Sequence, residues 1–230
     1  MADDKAIKVI LLGESGVGKT NLIRVSIGKE FEVNSNSTLS SSYCEAQIKV
    51  DKNYYLYYLW DTAGQEKYRS LNQLFIKDSK IILIVFAINN RESFEQVGFW
   101  YQYAKDILGE GGYMVALVGN KSDLYEEDNV VKDEEIEKKA QELKIPCKVT
   151  SAASDSAGFK AFLSQLLEKY IREYHPEEYR GSTSFQIGPS DAKKNGEKGK
   201  KKMFLNKKGL LENFIEFIGN LKYNSGKYFY

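Results

Sequence analysis

The sequence predicts an α/β fold, a mainly parallel six-stranded sheet with one antiparallel strand and helices on both faces. Three observations carry this. Apolar runs of strand length alternate with helix-like segments along most of the 230 residues, the pattern of a parallel sheet wrapped by helices. One run, IILIVFA from Ile81 to Ala87, is apolar without interruption, as expected of a central strand covered on both sides. Two further runs, Tyr43 to Val50 and Tyr54 to Trp60, flank the short turn DKN and read as an antiparallel hairpin.

The elements follow in order. Ile7 to Leu12 (IKVILL) is the first strand, and Lys19 to Gly28 the first helix-like segment. The hairpin comes next. Beyond the central strand lie the helix-like stretch Arg91 to Leu108, the strand Met114 to Val118, the helix-like stretch Lys132 to Leu143, the short strand Cys147 to Val149 and the helix-like stretch Asp155 to Tyr174. After His175-Pro176 the chain turns polar, Gly- and Ser-containing and finally Lys-rich, which reads as a linker over 175–209. KKGLLENFIEFIGNLKY then restores helical periodicity, with Leu210, Leu211, Phe214, Ile218 and Leu221 on one side, so 210–223 is a candidate amphipathic helix. The expected organisation is one domain over 5–174, a linker and that helix. There is no internal repeat.

Composition narrows the function classes. Lys+Arg total 33 against 32 for Asp+Glu, so global charge points to neither nucleic acid nor an acidic substrate. The two cysteines, Cys44 and Cys147, lie far apart and read as reduced cytosolic thiols. MADDKAIKVILLG is acidic where a signal peptide needs basic residues, Ala2 excludes N-myristoylation, and no apolar stretch approaches the roughly 18 residues of a membrane span. The expected location is the cytoplasm.

Four polar motifs fall at the carboxyl ends of strands, where ligands bind in such folds. The first is GESGVGKTN. Gly13-x4-Gly18-Lys19-Thr20 matches the phosphate-binding pattern in the required strand–loop–helix setting. Its glycines let backbone N–H groups of Glu14, Ser15, Gly16, Val17, Gly18 and onward to Asn21 converge on phosphate oxygens without Cβ collisions, and the helix N-terminus adds its dipole. Lys19 can reach the β- and γ-phosphates, and the Thr20 hydroxyl can ligate Mg²⁺. The sheet is therefore expected to be that of a P-loop NTPase. The second is Asn120-Lys121-Ser122-Asp123. The Asp123 carboxylate can accept from guanine N1–H and the 2-amino group, which adenine does not present there. Asn120 can brace loops and meet the purine edge, while the Lys121 stem lies on the base plane. The third is Asp61-Thr62-Ala63-Gly64-Gln65: Asp61 supports Mg²⁺, the Gly64 N–H meets a γ-phosphate, and Gln65 orients an attacking water. TSAA, from Thr150, is the fourth.

In these motifs the chain resembles a small GTPase of the Ras superfamily, nearest its Rab branch, over roughly residues 5 to 174. WDTAGQEKYRSL and INNRESFEQV are similar to Rab sequences in content and spacing. The resemblance implies a G domain that binds GTP and GDP with Mg²⁺, and a catalytic set of Gln65, Lys19 and Thr38. It aligns Thr38 with the switch I threonine, which ligates Mg²⁺ and senses the γ-phosphate, so the metal set is Thr20, Thr38 and Asp61. It aligns Phe31 with the aromatic that packs on guanine. It places Ser151, Ala152 and Ala153 in the base-contacting loop. It implies a switch in vesicle trafficking: GTP holds switch I (31–43) and switch II (61–76), hydrolysis releases both, and effectors, an exchange factor and an activating protein read them. Ser15 is small enough to leave hydrolysis possible.

The chain departs from the Rab pattern in four places. Leu39-Ser40-Ser41-Ser42-Tyr43 replaces I-G-x-D-F, Leu74-Phe75-Ile76 replaces Y-Y-R, Ala153 replaces a lysine, and no cysteine for prenylation follows the tail. A module that holds guanine nucleotide without cycling is the alternative reading, and Gln65, Thr38 and Asp61 count against it. An ATP-dependent kinase or transporter ATPase is opposed by NKSD. The tail, with Lys193, Lys194, Lys198, Lys200, Lys201, Lys202, Lys207 and Lys208, reads either as a linker with a docked helix or as a peripheral membrane contact on endomembranes.

Overall fold

The computed structural model describes residues 6–33, 38, 42–62, 69–125 and 131–175. The predicted tail segments, 175–209 beyond its first residue and 210–223, lie outside them, as do Gly64 and Gln65.

The sheet has six strands in the order β2-β3-β1-β4-β5-β6, being β1 (Ile7–Leu12), β2 (Ser42–Val50), β3 (Asn53–Asp61), β4 (Ile81–Ala87), β5 (Met114–Asn120) and β6 (Cys147–Val149). Only β2 runs antiparallel to its neighbour, β3. Val50 pairs with Asn53, so the turn is Asp51-Lys52, with Asp51 at φ 53°. The remaining pairs are parallel.

The predicted period-2 and continuous patterns sort the side chains between two layers. Val9 and Leu11 of β1 face α1 (Lys19–Ser26) and α6 (Ser156–Tyr174), meeting Leu22, Ile23, Phe159, Leu163 and Leu167. Ile10 and Leu12 face the other layer, with Ile76 of α2 (Arg69–Ile76), Phe94 of α3 (Arg91–Glu95), Trp100 of α4 (Val97–Leu108) and Ile136 of α5 (Asp133–Leu143). Every side chain of β4 is at most 2% exposed. Each large one contributes about 1.5–3 kcal/mol by leaving water, which is why this strand tolerates no polar residue.

Local chemistry ends the helices. Asp155 accepts from Gly158 N–H at 3.0 Å and caps α6. Lys132 begins α5, with Glu135 reaching back to its N–H at 3.1 Å. Gly28 takes φ 81° beyond α1, so that helix stops at Ser26 and not at Gly28 as expected. The single helix expected over Arg91–Leu108 is two. Asn90 caps the first turn by accepting from Ser93 N–H at 2.9 Å, and Ala87 N–H donates to the Ser93 hydroxyl at 3.0 Å, tying α3 to the end of β4. Gln96, at ψ −6°, separates it from α4, whose place is set by burial of Val97, Trp100 and Ala104. Strand β5 continues to Asn120, past the expected Val118, because Gly119 and Asn120 keep pairing with Phe86 and Ala87.

Chain order reverses at β1, since β3 lies on one side of it and β4 on the other. A crevice opens at the carboxyl ends of strands at such a point. The glycine loop begins there.

Candidate functional site

The loop from Gly13 to Gly18 is folded by close approach. A Cβ on Gly13 would stand 2.0 Å from the Val85 carbonyl oxygen, and one on Gly18, at φ 94°, would stand 2.3 Å from Asn120 Nδ2. Only glycine fits at either place. Val17, between them, drives its side chain into the core and is 1% exposed.

The loop borders a cleft of roughly 350 Å³. Among the residues singled out in the sequence, Ser15, Gly16, Gly18, Lys19, Thr20, Asn21, Phe31, Thr38, Asn120, Lys121, Asp123, Ser151, Ala152 and Ala153 line it. Glu14, Val17 and Asp61 do not; the side chains of Glu14 and Val17 turn elsewhere, and Asp61 sits behind Thr20, which bonds to it. Gly64 and Gln65 lie outside the described residues. Val33, Thr62 and Leu124 also line the cleft and were not expected. For Thr62 and Leu124 the signal was adjacency to Asp61 and Asp123. For Val33 there was none.

At one end of the cleft Lys19 is 6% exposed and donates to the carbonyls of Gly13 and Glu14, at 2.8 Å each. Burial pushes its ammonium down from the usual lysine value of 10.5 to about 8, against the opposing charges of Asp61 and Glu14. Next to it three oxygens converge. Thr20 Oγ1 donates to Asp61 Oδ2 at 2.8 Å and lies 2.9 Å from Thr38 Oγ1, which is itself 3.5 Å from Asp61 Oδ2. Burial raises the Asp61 carboxyl above its ordinary value, opposed by the Thr20 hydrogen bond and the Lys19 charge. The other carboxylate oxygen, Oδ1, is buried with no hydrogen-bond partner among the described residues. Thr62 donates to the Leu11 carbonyl at 2.6 Å, which fastens the end of β3 to β1.

A buried, unpartnered carboxylate oxygen beside two hydroxyls is a hard-oxygen donor set and fits Mg²⁺, which keeps waters and phosphate oxygens as its remaining ligands. Among the described residues no group of three or more His, Cys, Asp or Glu could hold a metal unaided.

The other end is a web of braces. Asn120, 2% exposed, donates from Nδ2 to the Val17 carbonyl at 2.8 Å and accepts at Oδ1 from Ala152 N–H at 3.0 Å. One amide thus joins the glycine loop, NKSD and TSAA. The Ser151 hydroxyl donates to Asp123 Oδ1 and accepts from the N–H groups of Ala153 and Ser154, at 3.0 Å each. Ser122 N–H donates to the Thr150 carbonyl at 3.1 Å. Lys121 is held at φ 66°, an uncommon conformation for a residue with a Cβ. Across the mouth, Asn21 bonds both backbone groups of Glu32, at 2.9 and 3.0 Å, and so fixes the segment bearing Phe31, which is 41% exposed.

Beside the cleft an aromatic surface is assembled from β2, β3 and α2. Tyr43 stacks on Trp60 at 4.9 Å, Phe75 tilts against Trp60 at 5.6 Å, and Lys8 Nζ lies 4.9 Å over the Trp60 ring. Tyr43 is 56% exposed and Leu74 of α2 is 73% exposed.

The Ras family model matches residues 8–174. GTP-binding protein ypt3 of Schizosaccharomyces pombe is 34% identical over 165 residues, covering 72% of this chain and 76% of that protein. Ras-related protein RABA1b of Arabidopsis thaliana is 38% identical over 53% of this chain and 56% of its own length. Ras-related protein Rab-11B of Dictyostelium discoideum is 38% identical over 54% and 56%. The chain therefore spans about half the length of the plant and amoebal relatives and three quarters of the fission-yeast one. With a P-loop at the switch point of a six-stranded sheet and these relatives, the chain belongs to the Ras family: it is a Rab-like small GTPase, which binds guanine nucleotide, hydrolyses GTP and acts as a nucleotide-dependent switch in membrane trafficking.

Proposed function

We propose that the cleft itself is where guanine nucleotide and Mg²⁺ bind and where GTP is cleaved, and that the 5–174 segment is a self-sufficient G domain. The observation that carries this is the convergence of Thr20, Thr38 and Asp61, with Asp61 Oδ1 unpartnered, next to buried Lys19. Thr20, Thr38 and Asp61 would hold the metal, whose charge offsets that of the phosphate oxygens. The N–H groups from Glu14 to Asn21 cradle the phosphates. Lys19 exchanges two loop carbonyls for phosphate oxygens, a stronger, charge-assisted pair. At the base, Asp123 accepts from guanine, the Lys121 stem and Phe31 cover its faces, and backbone groups of Ser151, Ala152 and Ala153 meet its carbonyl edge. Gln65 orients the attacking water and the Gly64 N–H senses the γ-phosphate. Loss of that phosphate removes the ligand that Thr38 and Gly64 share, so both switch segments relax.

Effectors, an exchange factor and an activating protein would read 31–43 and 61–76. The cluster of exposed Tyr43 on half-buried Trp60 and Phe75 supports this, because an aromatic cluster joined to two nucleotide-sensing segments reports their state. The changed residues after Thr38 imply effectors suited to this chain. The cytoplasmic face of endomembranes is the expected station, with the Lys-rich stretch 193–208 and the apolar residues of 210–221 giving peripheral contact. Each lysine near an anionic leaflet contributes about 1 kcal/mol. Among the described residues no helix is long and apolar enough to cross a membrane.

Single-turnover release of phosphate from bound GTP tests the catalytic reading. Gln65→Leu keeps approximate size and removes the polar atoms. It should slow release at least about tenfold, roughly 1.4 kcal/mol of barrier, with GTP affinity little changed. Equal rates for the two chains would remove Gln65 from the mechanism.

A further inference from the structure

Trp100, on α4, donates its indole Nε1–H to Glu14 Oε1 at 3.0 Å, across 86 positions of sequence. The ring is 1% exposed, on the buried face of α4 with Val97 and Ala104, and lies edge-on to Phe99 and Tyr103, at 5.4 and 6.0 Å. Packing on several sides leaves such a ring one orientation, so its N–H is a fixed donor. Glu14 stands in the middle of the phosphate loop: Gly13 before it is pressed against Val85, Ser15 and Gly16 after it line the cleft, and its own carbonyl accepts from Lys19. Its carboxylate is on the α4 side and Glu14 does not line the cleft.

A carboxylate on a loop that cradles a polyphosphate is a liability. Turned inward, it would meet like charge at short range in a partly desolvated place. We propose that Trp100 is a positioning residue for nucleotide binding: its indole N–H holds the Glu14 carboxylate outward and so protects the affinity of the loop for phosphate. The inference rests on the reading of the cleft as the nucleotide site. It gives the Glu14 side chain, as distinct from its backbone N–H, a role opposite to that of a ligand, and explains why an acidic side chain is tolerated inside GESGVGKTN.

The test is a double-mutant cycle on the full chain, measuring dissociation constants for GDP and a non-hydrolysable GTP analogue. Trp100→Phe keeps an aromatic ring and removes the donor. It should weaken GDP binding about tenfold and the more highly charged GTP analogue further. In a Glu14→Gln background, where no charge needs to be turned away, the same Trp100→Phe change should cost less than about threefold. A role in packing alone would cost the same in both backgrounds, and that result, or no loss in the Glu14 background, overturns the proposal. Benzothienylalanine at position 100 keeps the bicyclic shape without the N–H and serves if Trp100→Phe fails to fold. The unchanged chain is measured alongside. If it does not bind GDP, the reading of the cleft falls, and this inference with it.

Discussion

The two ends of the cleft are built on opposite principles. At the base end the side chains of Asn120 and Ser151 already have partners within the protein: Asn120 spans three loops, and Ser151 is bonded to Asp123, Ala153 and Ser154. At the phosphate end Asp61 Oδ1 is buried and unpartnered, Lys19 is a desolvated cation bonded to loop carbonyls, and Thr38 meets Thr20 and Asp61 from the stretch of chain ahead of β2. On the proposed reading the first end is preorganised, so its contribution to affinity should not depend on phosphate chain length. The second end would be completed by ligand and should distinguish GTP from GDP. A switch needs both: a grip that does not change and a sensor that does.

Substitutions should separate them. The largest effect is expected at the base. Asp123→Asn replaces an acceptor by a group that also donates, and should weaken GDP and GTP alike by about 3 kcal/mol, near a hundredfold, while improving xanthine nucleotide binding. Competition assays with the three nucleotides measure this. Unequal losses for GDP and GTP would mean that the base end is not independent of the sensor.

The next effect is a pH dependence confined to the phosphate end. With Lys19 pushed from 10.5 down to about 8 in the nucleotide-free chain, raising the pH through 8 removes the proton that phosphate binding needs. Affinity should fall by at most about tenfold per pH unit above that point, and Lys19→Arg, which does not titrate there, should flatten the profile. The sign for stability is the reverse. A lysine whose folded value lies below its unfolded value is penalised while protonated, so the nucleotide-free chain should gain stability between pH 8 and 10.5. Thermal melts across that window check it against other titrating groups by comparison with Lys19→Arg.

The smallest effect sharpens the contrast most. Thr38→Ala should leave GDP affinity within about twofold and weaken a GTP analogue about fivefold, near 1 kcal/mol. Hydrogen exchange over 31–43 in the two nucleotide states gives a second reading. Identical protection in both would remove Thr38 and its segment from the sensing of the γ-phosphate.

Much of the fold is legible in the amino-acid sequence. Strand β4 can be read from seven consecutive apolar residues, because burial on both faces leaves no other composition. The turn at Asp51-Lys52 and the caps at Asn90 and Asp155 are local chemistry. The break at Gln96 is not legible. Periodicity runs through it, and so do the hydrogen bonds from Gln96 N–H to the Glu92 carbonyl and from Trp100 N–H to the Gln96 carbonyl, at 3.2 and 3.0 Å. Val33 at the mouth of the cleft is equally hidden, since an isolated exposed valine in a loop carries no pattern.

The sequence by itself determined the class of ligand and the order of elements. The phosphate loop is one contiguous stretch whose glycine spacing, lysine and hydroxyl act through backbone geometry, and that geometry is decided within a few residues. Only the tertiary structure decided which groups are satisfied and which are left over. Asn120 meets Val17 across 103 positions, and Trp100 meets Glu14 across 86. Those contacts depend on β1 lying between β3 and β4, and on a helix packed beside the loop. Side-chain partners across such distances are set by the order of strands in the sheet and by packing, and neither is a property of any local run of residues.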